Sequence, residues 1–166
     1  MAVRPVLRYP APPLKRPAAP AGSITDELRD LARDLVDTMR AGPATVGLAA
    51  PQIGAEVRAF ALDVTGHRQA RTSNGLIVLF DPMLVDREGQ ETAREGCLSV
   101  PELTANVRRA VRLRIEGLTP DGGRRELEME GFEARAAQHE LDHLDGLLIL
   151  DRVDSASSLF PRRVYL

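Results

Sequence analysis

The chain has one cysteine among 166 residues, Cys97, so it has no partner for an internal disulfide and is not a disulfide-stapled scaffold. Lysine is almost absent: Lys15 stands alone, and arginine carries nearly all of the positive charge. A formal net charge of −2, with both signs interspersed, lacks the basic footprint of a nucleic-acid binder. No apolar run approaches the roughly 20 residues that span a bilayer, and no charged-then-apolar secretion signal opens the chain. A cytoplasmic location is therefore expected. Histidine is scarce as well, with three in total, and no glutamate follows Glu140. These two scarcities narrow the chemistry considerably.

At 43% hydrophobic content the chain is expected to form one domain over residues 1–166 with a sizeable core. Only basic charges precede Asp26, which superficially resembles an organelle transit peptide, but Pro10 to Pro13 and Pro17 to Pro20 forbid an amphipathic helix there. An extended arm lying on the body is expected instead. Ser23-Ile24-Thr25-Asp26 is a capping signal, and Ile24, Leu28, Leu31, Leu35 and Met39 recur at helical spacing until Gly42-Pro43. Val57 to Leu62 and Leu76 to Phe80 read as strands separated by a polar loop. Val111, Leu113 and Ile115 alternate with polar residues, as do Leu127 and Met129, around a Pro120-Asp121-Gly122-Gly123 turn, so a hairpin is expected. The period then lengthens: Phe132, Ala136, His139, Glu140 and His143 share one face of a helix starting near Gly131. The expected fold class is α+β, with antiparallel or mixed sheets folded around this helix and a second helix near the N-terminus. Gly47 to Gln52 is expected to be an extended loop flanking a cleft.

The polar residues on the second helix carry the functional signal. Two histidines four apart stand one above the other, so His139 and His143 can reach one metal ion while Glu140 faces the same side. A carboxylate beside a metal-activated water acts as general base. Two imidazoles and a carboxylate on a buried face would be costly without a charged partner, which is itself a reason to place a cation there. A catalytic site of this kind needs a third protein ligand and an open position. The long zinc-protease pattern fails, because Ile149 occupies the third-ligand position after Gly146, and the branch with a downstream glutamate fails because no glutamate remains. His67 lies in a polar loop tip, so Cys97 is taken as the third ligand. Taken alone, a single cysteine is more often a small buried hydrophobe, but Glu95-Gly96-Cys97-Leu98-Ser99 has the composition of a turn with close backbone approach at Gly96.

Three strings in order, Gly47-Leu48-Ala49-Ala50-Pro51-Gln52, Glu95-Gly96-Cys97-Leu98-Ser99 and Gln138-His139-Glu140-Leu141-Asp142-His143, make the chain resemble the peptide deformylase family. That family carries Gly-x-Gly-x-Ala-Ala-x-Gln, Glu-Gly-Cys-x-Ser and Gln-His-Glu-x-Asp-His. The resemblance runs from Val6 to about Arg152. It implies a metal-dependent amide hydrolase that removes the N-formyl group from the initiator methionine of newly made bacterial proteins and releases formate. It implies Cys97, His139 and His143 as metal ligands and Glu140 as the proton-handling group. Gln52 and the backbone amide of Leu98 would then hold the formyl oxygen. The resemblance implies ferrous iron, the metal that the family typically uses, while the donor set by itself also suits zinc, nickel or cobalt. The expected partner is a formyl-methionyl peptide or nascent chain, with no nucleic acid and no membrane, and the oligomeric state is open. Gly47 is assigned to close approach of the substrate backbone, and Val46, Ala93, Phe132 and Ala136 to the pocket for the methionine side chain.

Two departures from the family pattern stand out. Thr45 replaces the first glycine of the first motif, in a segment one residue longer than usual, and a branched residue restricts the backbone beside the substrate. The chain also ends at Leu166, where many family members continue into a long helix. Two rival functions follow: a related hydrolase acting on another N-formyl compound, and a non-catalytic module stabilised by a closed metal site. Glu140 argues against the second, since a purely structural site does not need it.

Overall fold

A computed structural model of the chain describes residues 2–163. Helix α1 spans Asp26–Ala41 and is capped by Thr25, whose hydroxyl accepts from Leu28 N at 3.3 Å. The strands are β1 (Gly47–Ala49), β2 (Ala59–Leu62), β3 (Ile77–Glu88), β4 (Glu91–Cys97), β5 (Val100–Arg109), β6 (Arg112–Leu118) and β7 (Arg124–Glu130). Helix α2 (Gly131–Leu144), the single turn α3 (Ile149–Arg152) and strand β8 (Leu159–Pro161) complete the chain order. One sheet runs β1-β2-β3-β6-β7 and the other β4-β5-β8, with every strand pair antiparallel. The only parallel pairing among the described residues is an isolated bridge between Ala19 and Val57, so the sheets are antiparallel rather than mixed.

Helix α2 lies at the centre because its inward face is built from small residues. Ala134 and Ala137 are fully buried and let the larger sheet, with Phe60, Leu62, Leu79, Ile115 and Leu127, close onto the helix. On the other side of that sheet, α1 packs Leu35 and Met39 against Leu48, Ala59, Ala61 and Phe80. A third cluster joins Leu14 of the N-terminal arm to Cys97, Val107, Leu148 and Ile149, and so ties the smaller sheet to the region after α2.

Four expectations need correction or extension. The β6–β7 hairpin forms around Pro120–Gly123 as expected, but β3 runs far beyond Phe80. Asp81-Pro82 looks like a stop, yet it is absorbed as an irregularity between Phe80 and Met83, with Asp81 at φ +47 and its carboxylate accepting from the amides of Ala21 and Gly22. Gly47 to Gln52 is not a free loop: Gly47–Ala49 pairs with β2, and Ala50–Ile53 closes a 3-10 turn. The charged segment 91–109 forms the β4–β5 pair, which its weak apolar alternation concealed. Leu159–Pro161 returns as β8 onto β5, and residues 164–166 of the tail lie outside the described residues.

The N-terminal arm does lie on the body, and it touches two of the three sequence strings. Leu7 N donates to Gln52 O at 2.7 Å, and Tyr9 N donates to Ser99 O at 2.8 Å. Its start is clamped to α1 by Asp34, which accepts from Ala2 N at 2.8 Å and from Arg4 Nε at 2.8 Å and Nη2 at 2.6 Å. Burial works against ionisation of Asp34, but Arg4 and the Ala2 amide overcome it and hold the carboxyl below its usual value. The clamp is therefore in force above the usual aspartate range near pH 4, and is lost as pH falls through the lowered value. Asp34→Ala is expected to reduce stability by about 1–3 kcal/mol at neutral pH in a urea titration, with the difference from wild type shrinking in acid.

Candidate active site

The site forms where β4 meets α2, beside β1. Cys97 is the last residue of β4, at a register irregularity between Gly96 and Cys97 that turns its side chain toward the helix. Cys97 Sγ lies 3.4 Å from His143 Nε2, and the two imidazole Nε2 atoms lie 3.2 Å apart. One donor atom from each of the three residues falls within 4.8 Å of the others, and no second cluster of this kind occurs among the described residues. A cation held tetrahedrally at about 2.3 Å from sulfur and 2.1 Å from nitrogen needs donors roughly 3.3–3.6 Å apart. The three side chains thus fit a single divalent metal ion. His67 is elsewhere, stacked on Phe132 with ring centroids 4.1 Å apart.

Glu140 sits beside this triad, only 4% exposed, and its Oε2 has no hydrogen-bond partner among the described residues. Burial raises its pKa most strongly; the neighbouring imidazoles pull against that rise and the Cys97 and Glu95 charges add to it. The carboxylate fits because residue 47 is glycine. A Cβ there would overlap Glu140 Oε1 and stand 2.9 Å from Cδ, so Gly47 admits the Glu140 carboxylate.

Gln52 is oriented by its own backbone. Its Oε1 accepts from Ala49 N at 2.9 Å, which leaves Nε2 to donate toward Ser99 Oγ at 3.2 Å and Cys97 Sγ at 3.8 Å. Leu98 lines the same cleft from the turn after β4. Val46, Phe132 and Ala136 also line it, in a cavity of about 340 Å³. Ala93 does not: it pairs with Val107 four residues before Cys97, about 13 Å back along the strand. Thr45 lines the cleft lip, and its longer segment is accommodated by a turn with Ala44 at φ +50. A wider groove of about 690 Å³ lies elsewhere, between β3, β6 and β7, but holds no such convergence of donors.

The residues that hold the triad were harder to see in the sequence. Glu95 Oε1 lies 3.7 Å from His139 Nδ1 and accepts from Arg109 Nε at 3.0 Å. Arg109 Nη1 donates to Asp142 at 2.6 Å, and Asp142 accepts in turn from Arg152. Burial opposes the Glu95 charge, yet the His139 interaction and the Arg109 guanidinium hold its carboxyl at about 2. Arg109, 5% exposed, thus joins the string around Cys97 to the string around the histidines. Glu95 and Asp142 are visible in those strings, but nothing in the Arg108-Arg109 pair says which arginine turns inward. Gln138 caps the end of β5, exchanging hydrogen bonds with the Ala110 backbone.

The sequence profile of the polypeptide deformylase family matches residues 3–158. The chain belongs to the peptide deformylase family. It is 42% identical over 164 residues to the peptide deformylase of Desulforudis audaxviator, covering 98% of this chain and 99% of that one. Its fold is similar to the crystal structure of a peptide deformylase from Legionella pneumophila, with a TM-score of 0.85 at 35% identity over 95% of this chain and 89% of that chain. It is also similar, with a TM-score of 0.79 at 32% identity over 92% of this chain and 99% of that chain, to a Met-Ala-Ser-bound class I type b peptide deformylase from Acinetobacter baumannii. The family comprises metal-dependent hydrolases that remove the N-formyl group from nascent peptides, and the Cys97, His139 and His143 cluster is where this chain can bind its metal.

The donor chemistry sets a direct test. Cys97→Ser replaces a thiolate with a poor ligand for a borderline-soft ion. Purified variant protein is expected to lose at least tenfold in metal affinity in a chelator competition monitored by metal analysis.

Proposed function

We propose that this chain, acting as one catalytic unit over residues 1–166, hydrolyses the N-formyl group of formyl-methionyl nascent chains in the bacterial cytoplasm, with Cys97, His139 and His143 as metal ligands. No helix among the described residues is long and apolar enough to cross a membrane. The observation that carries the mechanism is the buried, unpartnered Oε2 of Glu140 beside three converging donor atoms. When bound, the divalent ion polarises the formyl oxygen and lowers the pKa of water. Glu140 takes the proton of the attacking water and returns it to the departing amine. The Gln52 amide, with its oxygen already committed to Ala49, and the Leu98 N–H donate to the oxygen as it becomes negative.

The methionine side chain enters between Val46, Phe132 and Ala136. Strand β1 is the edge of one sheet and β4 the edge of the other, and both border the cleft. An extended peptide can therefore find unpaired backbone groups there. Ferrous iron is the metal assigned by family resemblance; zinc, nickel and cobalt suit the same donors, and zinc binds more tightly than ferrous iron in most such sites.

A second reading, a hydrolase for another N-formyl compound, is favoured only by the altered lip at Ala44 and Thr45. An anaerobic formate-release assay separates the two: formyl-methionyl peptides are expected to turn over faster than formylated amines without methionine, and the reverse order would support the second reading. Glu140→Ala is expected to keep its metal and lose about 10²–10⁴-fold in kcat. Wild-type turnover in that variant would remove Glu140 from its role.

A further inference from the structure

Arg162 borders the same cleft, and the chemistry above has no use for it. It follows β8, whose register on β5 is fixed by the pairs Ala105 with Leu159, Thr104 with Phe160 and Leu103 with Pro161, and by Arg162 N donating to Glu102 O at 2.8 Å. The strand is pinned further by Arg94, whose guanidinium lies 3.5 Å over the Phe160 ring. From this anchored position the Arg162 side chain crosses to the edge strand β4 at Gly96. A Cβ on residue 96 would overlap Nη2 and stand 3.3 Å from Cζ, so the absence of a side chain next to Cys97 is what admits the guanidinium.

Three arginines border the cleft, and two are already engaged. Arg135 donates to Val107 O and Glu91 O, and Arg94 donates to Asn106 Oδ1 while stacking on Phe160. Among the described residues the Arg162 guanidinium meets no carboxylate within ion-pair distance and no hydrogen-bond acceptor. The two acids of the cleft do not supply one: Glu95 is bound by Arg109, and Glu140 faces the metal-ligating triad. A cation without a partner among the described residues at the mouth of a cleft, on a chain of net charge −2, is a local feature and not a consequence of overall charge.

We propose that Arg162 is a specificity-determining residue that binds a carboxylate on the peptide, carried by one of the first two residues after the methionine. The proposal rests on the deformylase reading, because the register of the peptide is set by its formylated end at Cys97. Gly96 adjoins that cysteine, and an arginine side chain spans only a few ångströms, so residues further along lie beyond reach. The attraction acts in the bound and transition states alike, so it belongs to KM and not to kcat.

The test uses metal-loaded enzyme and C-terminally amidated formyl-Met-Xaa-Ser and formyl-Met-Ala-Xaa peptides with Xaa as Asp, Asn or Lys. Wild type is expected to prefer Asp over Lys by about fivefold in kcat/KM at low salt, a difference that shrinks at high salt. In Arg162→Ala the preference is expected to vanish, in Arg162→Lys to persist in part, and in Arg162→Glu to reverse. Formyl-Met-Ala with a free C-terminus against its amide separates a terminal carboxylate from an acidic side chain. An Asp-to-Lys ratio equal in wild type and Arg162→Ala overturns the proposal. Turnover of the Asn peptides reports separately on the deformylase reading. Calorimetric binding of the products Met-Asp-Ser amide and Met-Lys-Ser amide repeats the comparison without any turnover, so loss of the deformylase reading would still leave the role of Arg162 decided.

Discussion

The structure depends on keeping several charged groups together out of water. Glu95, Glu140, Arg109 and Asp142 are all at most 7% exposed; Glu95 lies 3.7 Å from His139 Nδ1, and Arg109 links it to Asp142. Removing such groups from solvent costs several kcal/mol each unless every charge meets its opposite. Arg109 meets that requirement for Glu95 and Asp142, and the three donor atoms fit a cation that would meet it for Cys97. Burial opposes the Cys97 thiolate, yet the His143 charge and hydrogen bonding with His139 hold its pKa well below the usual thiol range. The same need explains why the site lies on a helix and an adjoining strand, since rigid elements place donor atoms more accurately than loops.

Other features of the fold bring that cluster to a usable cleft. Fully buried alanines allow α2 to run close beneath the larger sheet, and Gly47 brings the edge of that sheet against Glu140. The N-terminal arm holds Gln52 and Ser99 by backbone hydrogen bonds, so the two strings that flank the triad are tied by one segment. Exposed sheet edges invite unwanted pairing in most proteins. Here two such edges, β1 and β4, border one cleft.

The legible parts of the sequence were those with a strict period or a strict geometry. The stripe of Leu28, Leu31, Leu35 and Met39 on α1, the alternation of Leu113, Ile115, Leu127 and Met129, and the i, i+4 histidines each state a local structure. β4 and β5 were not visible in this way, because a strand with one charged face and one partly polar buried face has no apolar alternation to detect. β3 was truncated at Asp81-Pro82, where a bulge and two backbone amides from the arm rescue a sequence that otherwise reads as a break.

Taken by itself, the sequence determined the types of the three converging donor residues, the helix that carries two of them and the family to which the chain belongs. These follow from short-range spacing, because residues four apart on a helix are neighbours in any fold. Only the tertiary structure decided that Ala93 lies outside the cleft and that Gly47 makes room for a carboxylate. It also decided that Arg109 is the arginine turned inward and that Arg162 returns from the far end of the chain to lie over Gly96. Each depends on strand register and on which edges adjoin, and those are set by packing between segments distant in sequence, whose outcome no local pattern records.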